Sequence, residues 1–144
     1  MSGKAFWDTN LLIYWLEKPK ALAEEVGALR EWHAKQNLEI VTSSLSLAEI
    51  LVQPLSKKNI ELGRRYQGLI SAMGCLPFGT AEAWAFAEIR SRYKKLKPPD
   101  CIQLACAKVH GVDYFFTNDD RLSKVRVDGI QSITSLSQWH TRQS

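Results

Sequence analysis

The sequence predicts an α/β domain built on a parallel sheet, because short apolar runs of strand character alternate with segments of helical periodicity. Apolar residues in the intervening segments recur three or four positions apart, as expected of helices that cover a sheet. With 144 residues, one such domain accounts for the whole chain, residues 1–144, and can bury an ordinary core. The predicted strands lie at residues 4–8, 38–42, 75–78 and 114–117, with a final short strand within 126–133.

Capping residues and prolines predict where the first helices begin and end. One helical pattern follows the first strand and should stop at Pro19, and a second occupies residues 22–33. Ser46 and Glu49 have the spacing of a capping box for a third helix, which Pro54 should interrupt.

The later helices have similar signals. Asn59 should cap a helix that Gly74 ends. Another should open at Thr80 and end before the pair Pro98-Pro99, whose second member suits the first helical position of the next helix. Gly111 should end that helix, and the tail around His140 is expected to fray.

Composition excludes several classes of protein. A hydrophobic fraction of 45% and a charged fraction of 24% are those of a folded globular domain, and no apolar stretch approaches the roughly 18 residues that a membrane span needs. The start, Met1-Ser2-Gly3-Lys4, has no signal-peptide pattern. Cys75, Cys101 and Cys106 are an odd number in apolar contexts, which favours reduced thiols and a cytoplasmic location.

Four carboxylates lie where predicted strands or helices begin or end. Asp8 and Asp119 follow apolar runs, at the edge where open α/β sheets bind ligands. Glu49 and Asp100 lie near the starts of helical patterns, from which their side chains can reach the same edge. Clustered carboxylates repel each other unless they share a proton or a cation, and oxygen ligands select Mg²⁺ or Mn²⁺. The sequence therefore predicts an acidic pocket with metal-assisted chemistry.

Each of these acids also has a purely structural interpretation. Asp8 could cap the first helix, Glu49 could complete the capping box, and Asp100 could interact with a helix dipole. Asp119 and its neighbour Asp120 could be turn residues. Independent capping does not explain why all four positions fall at the ligand-binding edge of one sheet.

Positive charge is concentrated in one segment that ends shortly before Asp100. The formal net charge is +4, and one segment without any acidic residue contains five cations that suit a polyanion such as a nucleic acid. The alternative is a solvated helix end whose cations complement the helix dipole. The five cations are Arg90, Arg92, Lys94, Lys95 and Lys97.

Four motifs follow one another along the chain: FWDTNLLIY at residues 6–14, SLAEIL at 46–51, PDCIQLA at 99–105 and FTND at 116–119. Together they resemble the PIN-domain ribonucleases, and most closely the VapC-type toxins of toxin–antitoxin pairs. The resemblance implies a four- or five-stranded parallel sheet with helices on both faces, and an endoribonuclease that depends on Mg²⁺ or Mn²⁺.

The resemblance also assigns roles to individual residues. The acidic quartet of the family falls on Asp8, Glu49, Asp100 and Asp119. We expect Asp8 and Asp100 to bind the metal directly, and the other two to bind through water or to hold a second ion. Three further residues are expected to support the site, and they are Asn10, Thr117 and Asp120.

Partners follow from the same resemblance. RNA is the expected substrate, with the basic segment as its binding surface. A cognate antitoxin protein and a homodimer are also expected. Trp15, Leu16 and residues 51–55 could form an apolar groove for an antitoxin helix, although a helical Trp is more often a core residue.

Other chemistries fit the sequence less well. His33, His110 and His140 are scattered, without the acid and base pair of a metal-free ribonuclease, and no cysteine–histidine spacing fits zinc. A phospho-aspartate phosphatase needs a second Asp where this chain has Asn10. The main alternative is a PIN-like module that binds RNA or a protein without cutting.

Overall fold

A computed structural model describes residues 3–17 and 20–143 and confirms the predicted α/β fold. Within these residues five strands form one sheet, and every pairing between neighbouring strands is parallel. The strands are β1 (Gly3–Trp7), β2 (Leu38–Ser43), β3 (Cys75–Leu76), β4 (Tyr114–Thr117) and β5 (Ser132–Ser135). Their order across the sheet is β3-β2-β1-β4-β5.

Helices cover both faces of the sheet, as expected. Those described are α1 (Thr9–Glu17), α2 (Lys20–Lys35), α3 (Ser44–Ser56), α4 (Ile60–Met73), α5 (Thr80–Arg92), α6 (Pro98–Val109) and α7 (Leu136–Arg142), with a 3₁₀ turn at Leu122–Lys124. Helices α5 and α6 pack on one face, and α1 to α4 with α7 pack on the other. No helix in the described stretches is long and apolar enough to cross a membrane.

Alternation along the central strands divides the core into two layers. Phe6 of β1 and Phe115 of β4 are register partners, and their rings stack at 5.0 Å on the α5–α6 face. Trp7 and Phe116, one residue further along each strand, pack on the opposite face. Strands buried on both faces read as continuous apolar runs, which is why these two were recognisable in the sequence.

The strand order positions the site. The chain builds β1, β2 and β3 in one direction across the sheet and then crosses to place β4 on the other side of β1. Parallel α/β sheets bind ligands at the carboxyl ends of strands where the order reverses in this way. Here the order reverses between β1 and β4. Asp8 directly follows the end of β1, and Thr117 is the last residue of β4, so both lie at this edge.

The start and end predicted for the third helix were wrong. Ser43, not Ser46, caps α3: its hydroxyl accepts the amide hydrogen of Ser46 at 3.3 Å, so β2 passes into the helix without a loop. The helix also continues through Pro54 to Ser56. Pro54 lies in the last turn, where it removes a single backbone hydrogen bond. It is buried, and it packs near Gly63 of α4, which has no side chain.

Four smaller expectations also change. Pro98 rather than Pro99 occupies the first position of α6, and β3 is only two residues long. The last strand extends past the expected range, to Ser135. The expected frayed tail is helical, because Ser135 and Gln138 form a true capping box for α7. The stop predicted at Pro19 lies outside the described residues.

One histidine is built into the core. The His33 Nε2 atom accepts a hydrogen bond from Trp7 Nε1 at 2.9 Å, and the ring is 1% exposed. Trp32 and Phe116 contact the same imidazole. His33 is therefore a packed residue, and its Nε2 lone pair must stay unprotonated to hold Trp7.

We expect this histidine to make the protein less stable in acid. Burial lowers the pKa of His33 to about 4, from an ordinary value of 6.5. The unfolded chain takes up the proton first, so this contribution to the free energy of unfolding is complete above about pH 6.5 and is lost as pH falls toward 4. The full loss amounts to about 3 kcal/mol. Denaturant unfolding across this range should show a smaller pH slope for His33→Gln, which can accept from Trp7 without titrating; equal slopes would contradict the assignment.

Candidate active site

Asp8 is the centre of the site. It follows β1 directly and is 8% exposed. Its Oδ2 accepts from the Thr117 hydroxyl at 2.8 Å, and its Oδ1 accepts from the Thr9 amide at 2.9 Å and from Gln103 Nε2 at 3.3 Å. Its carbonyl also accepts the Leu11 amide at the start of α1. Asp8 therefore stands directly before α1, and its carboxylate accepts hydrogen bonds from residues of α1, α6 and β4.

The environment of Asp8 disfavours its charge. Burial raises the pKa of the carboxyl, and the hydrogen bonds from Thr117, Thr9 and Gln103 only partly oppose this effect. The nearby charge of Glu49 raises the pKa further. The carboxylate is thus held in position by several donors, while its charge is not balanced by any of them.

Gln103 is a functional candidate that sequence reasoning missed. It is 2% exposed, and its Nε2 donates to the Ser46 hydroxyl at 2.7 Å and to the Thr9 hydroxyl at 3.2 Å, as well as to Asp8. Its Oε1 accepts a short hydrogen bond from the Ser43 hydroxyl. One amide therefore ties the start of α3 to the start of α1. The available signal was a lone amide in the otherwise apolar stretch Cys101–Ala107.

Glu49 extends this network to the surface. The predicted capping role is wrong, because Ser46 is inside α3, and Glu49 Oε1 instead accepts from the Thr9 hydroxyl at 2.8 Å. Glu49 is exposed, whereas Ser46, one turn earlier, is buried. Glu49 lines a cleft of about 280 Å³, whereas Ser46 lies behind it. The cleft is lined by Asp8, Thr9, Asn10, Ile13, Glu49, Pro99, Asp100 and Gln103.

Asp100 faces Asp8 across this cleft from the first turn of α6. Burial raises the pKa of Asp100, and the charges of Asp8 and Asp119 raise it further. Arg121 and the backbone amide of Lys97 oppose the rise. Three of the four predicted acids, Asp8, Glu49 and Asp100, therefore line one cleft, and the fourth acts on it through its charge.

Asp119 is engaged outside the cleft lining. Its carboxylate forms an ion pair with Arg121, with Nη2 to Oδ2 at 2.7 Å and Nε to Oδ1 at 3.1 Å. The Arg121 hydrogen bond is the main reason that the pKa of Asp119 is lowered. The Asp119 amide donates to the Thr117 hydroxyl at 3.1 Å, so Thr117 links this loop to Asp8.

The other two predicted supporting residues hold loops. Asn10 Oδ1 accepts from the amide of Asn118 at 3.1 Å, which fastens the turn after β4 to α1. Asp120 Oδ1 accepts from the hydroxyl of Ser137 at 2.9 Å, so this carboxylate is directed to the start of α7. Asn10 lines the cleft, and Asp120 does not.

The donor set fits a hard divalent cation. In the stretches that the structure describes, no three His, Cys, Asp or Glu side chains converge on one point closely enough to hold a metal ion. The polar groups of the cleft are carboxylates, hydroxyls and amides, without thiolate or imidazole ligands. Two of its carboxyls have pKa values raised by burial and by like charge, a repulsion that a bound cation would relieve.

A cationic pocket adjoins the acidic cleft. It has a volume of about 460 Å³ and shares Asp100 with the cleft. Arg90 shapes it, because its Nη1 donates to the carbonyls of Lys94, at 2.8 Å, and Leu96, which fixes the loop. The pocket is lined by Arg92, Tyr93, Lys94, Lys95, Leu96, Lys97, Asp100, Arg121 and Leu122.

The fold and the cleft define a parallel α/β domain with an acidic site at its topological switch point. The sequence profile of the PIN domain matches residues 5–128, and the chain belongs to that family. No curated protein matches the sequence.

Several solved structures share the fold. VapBC2 from Rickettsia felis, bound to a DNA fragment from its promoter, is similar at 18% identity and a TM-score of 0.70, covering 92% of this chain and 98% of that chain. A toxin–antitoxin complex from Klebsiella pneumoniae is similar at 23% identity and a TM-score of 0.68, covering 92% of this chain and 97% of that chain. DNA-bound VapBC from Salmonella typhimurium is similar at 23% identity and a TM-score of 0.66, covering 93% of this chain and 98% of that chain.

The charge environment of Asp100 gives a prediction that needs no assay of function. Because its pKa is raised above the ordinary 3.8, the native state binds this proton more tightly than the unfolded chain. The ionised Asp100 carboxylate therefore lowers the free energy of unfolding. This cost is absent well below pH 3.8 and grows as the pH rises through the native pKa. Without divalent cations, Asp100→Asn should match or exceed the wild type in free energy of unfolding at neutral pH. The advantage of the variant should shrink as the solution is acidified. A variant that is less stable at neutral pH would favour a purely structural role.

Proposed function

We propose that this protein is a metal-dependent endoribonuclease that hydrolyses RNA phosphodiester bonds, and that it is the toxin of a toxin–antitoxin pair of the VapC type. The observation that carries the proposal is the pair of carboxyls, Asp8 and Asp100, facing one cleft at the switch point of the sheet. A bound cation would relieve the repulsion between these carboxyls, and the adjoining cationic pocket suits a phosphate backbone.

In this proposal Asp8 and Asp100 bind Mg²⁺ or Mn²⁺ directly, while Glu49 and Asp119 bind through water or hold a second ion. A divalent cation at this site would neutralise charge on the phosphoryl group and lower the pKa of the attacking water. Thr117 and Gln103 keep the Asp8 carboxylate in one orientation through their hydrogen bonds. Glu49 is the exposed carboxylate of the cleft, so we assign it to accept the proton of that water.

The cationic pocket supplies the proposed path for RNA. Arg92, Lys94, Lys95 and Lys97 are exposed around it, and Asp100 forms its border with the cleft. A phosphate chain bound by these side chains would reach the carboxylates without leaving the surface. Arg90 supports this path by holding the loop that carries the lysines, because its guanidinium donates hydrogen bonds to the carbonyls of Lys94 and Leu96.

A second candidate is a PIN-like module that binds RNA or a protein without cutting. The ion pair between Asp119 and Arg121 favours it, because one acid of the quartet already has a cationic partner. The raised pKa values of Asp8 and Asp100 favour the enzyme, since carboxyls that only cap helices gain nothing from mutual repulsion.

An antitoxin partner is proposed from the similarity to structures of toxin–antitoxin complexes. A groove of about 350 Å³ between α1, α3 and α4 could receive an apolar helix face. Val52, Leu55 and Ile60, which adjoin lining residues of this groove in the sequence, are exposed apolar residues. This surface overlaps residues 51–55 of the predicted groove, while Trp15 lines a separate depression with Arg30 above its ring. We also retain the homodimer and the cytoplasmic location as proposals, the latter because all three cysteines are free thiols.

Cleavage with matched variants tests the enzyme. Asp8→Asn and Asp100→Asn should each abolish cleavage of RNA in Mg²⁺ or Mn²⁺, and EDTA should abolish wild-type cleavage. The metal should stabilise the wild type by about 2.7 kcal/mol at one hundred times Kd, and the two variants much less. Asp128→Asn, an exposed acid outside the cleft, is the control and should behave as wild type. Metal-dependent cleavage that survives in both cleft variants would exclude the assigned site, and binding without cleavage by the wild type would favour the second candidate.

A salt series tests the RNA path. Replacing Arg92, Lys94 and Lys95 with Ala should weaken RNA binding and make it less dependent on salt. Each phosphate contact contributes a slope of about 0.7 to 0.9 in a plot of log affinity against log salt. Replacing Lys57, Lys58 and Arg64 removes the same formal charge from exposed positions outside the cationic pocket and should leave the slope unchanged. Equal effects of the two triple variants on the salt slope would show that only net charge matters, and that the pocket is not a specific RNA path.

A further inference from the structure

Arg121 makes the most specific charged contact near the proposed site. It follows Asp119 by two residues, and three of its nitrogen atoms bond that carboxylate: the backbone amide at 3.0 Å, Nε at 3.1 Å and Nη2 at 2.7 Å. A two-point guanidinium–carboxylate pair is stronger and more directional than a single contact. The side chain of Arg121 is 69% exposed, so no packing fixes it there.

The same guanidinium belongs to both halves of the site. It lines the cationic pocket with Arg92 and Lys97, and its charge acts on Asp100, which also borders the acidic cleft. Among the residues that the structure describes, Arg121 is therefore the cation that forms an ion pair with an acid of the quartet while lining the pocket proposed for RNA. A group in this position can balance acidic charge or bind phosphate, but its fork cannot do both at once.

We propose that Arg121 is a positioning residue that couples cation binding to RNA binding by exchanging Asp119 for a phosphate. The inference rests on the proposed function. A divalent cation that recruits Asp119 must displace the guanidinium fork, and the released side chain then points into a pocket already rich in positive charge. RNA phosphate that captures Arg121 frees Asp119 in the same way. Because such coupling is reciprocal, each ligand raises the affinity for the other by the same factor.

Binding measurements separate this idea from simple charge effects. Mn²⁺ affinity is measured by calorimetry for the wild type, Arg121→Gln, Arg121→Lys and Arg92→Gln, without RNA. Arg121→Gln should bind Mn²⁺ about fivefold or more tightly than the wild type, the lower end of typical coupling factors. Arg121→Lys keeps the charge but loses the fork, and should also bind more tightly than the wild type. Arg92→Gln removes a charge from the same pocket without touching Asp119, and should change the affinity much less.

The coupling itself is read from a second titration. A short single-stranded 2′-O-methyl oligoribonucleotide is titrated with and without Mn²⁺, and electrophoresis after each titration checks that it is intact. Mn²⁺ should tighten oligonucleotide binding by a factor that is at least about five times smaller in Arg121→Gln than in the wild type. In Arg92→Gln this factor should stay as in the wild type.

The outcomes distinguish the inference from the function beneath it. Equal Mn²⁺ affinities in wild type, Arg121→Gln and Arg121→Lys, or an unchanged coupling factor in Arg121→Gln, would overturn the role of Arg121 while leaving a metal site in place. Failure of the wild type and of every variant to bind Mn²⁺ would instead overturn the proposed metal-dependent function.

Discussion

Burial of one carboxylate, that of Asp8, constrains the architecture around it. A charged group taken out of water must be compensated by donors in fixed positions. Those donors come from separate parts of the chain: Thr9 from α1, Gln103 from α6 and Thr117 from the end of β4. The ends of these elements must therefore meet at one point, and the parallel sheet with its order reversed beside β1 provides that point.

The same constraint explains how polar groups are distributed around the cleft. Ser43, Ser46 and Thr9 are buried hydroxyls that would each cost free energy without a partner. One amide, that of Gln103, serves all three of them and Asp8. Such a network favours a single arrangement of α1, α3 and α6, because any slip leaves several buried groups unsatisfied at once.

Much of the fold was predictable because local signals agreed with the tertiary structure. The apolar runs of β1 and β4 are buried on both faces, and Asn59 and Gly74 bound α4 as expected. Errors occurred where one residue type can serve two purposes. Two serines three residues apart could each cap α3, and only the direct passage from β2 decided for Ser43. The end of the chain was misread because Ser135 both ends β5 and caps α7.

The site divided in the same manner. The positions of Asp8 and Asp119 could be predicted from strand ends, since parallel strands bring their carboxyl ends to one edge. Contacts between side chains could not, because they depend on tertiary geometry. Gln103 lies 95 residues from Asp8, and nothing in its local sequence identifies that partner. The diversion of Asp119 to Arg121 is local, yet Asp119 at a strand end fits both a ligand and a turn.

The residue before Asp8 has a consequence for how substitutions act at a distance. Trp7 is held on both sides: its indole donates to His33, and its carbonyl accepts from the Thr42 hydroxyl at 2.9 Å. His33 in turn packs with Trp32, whose ring meets Trp139 of the last helix at 6.0 Å. A mechanical chain of aromatic rings therefore runs from α7 to the backbone that carries the central carboxylate. A substitution in one of these rings would therefore disturb the position of the Asp8 backbone as well as core packing, although none of the rings borders the cleft.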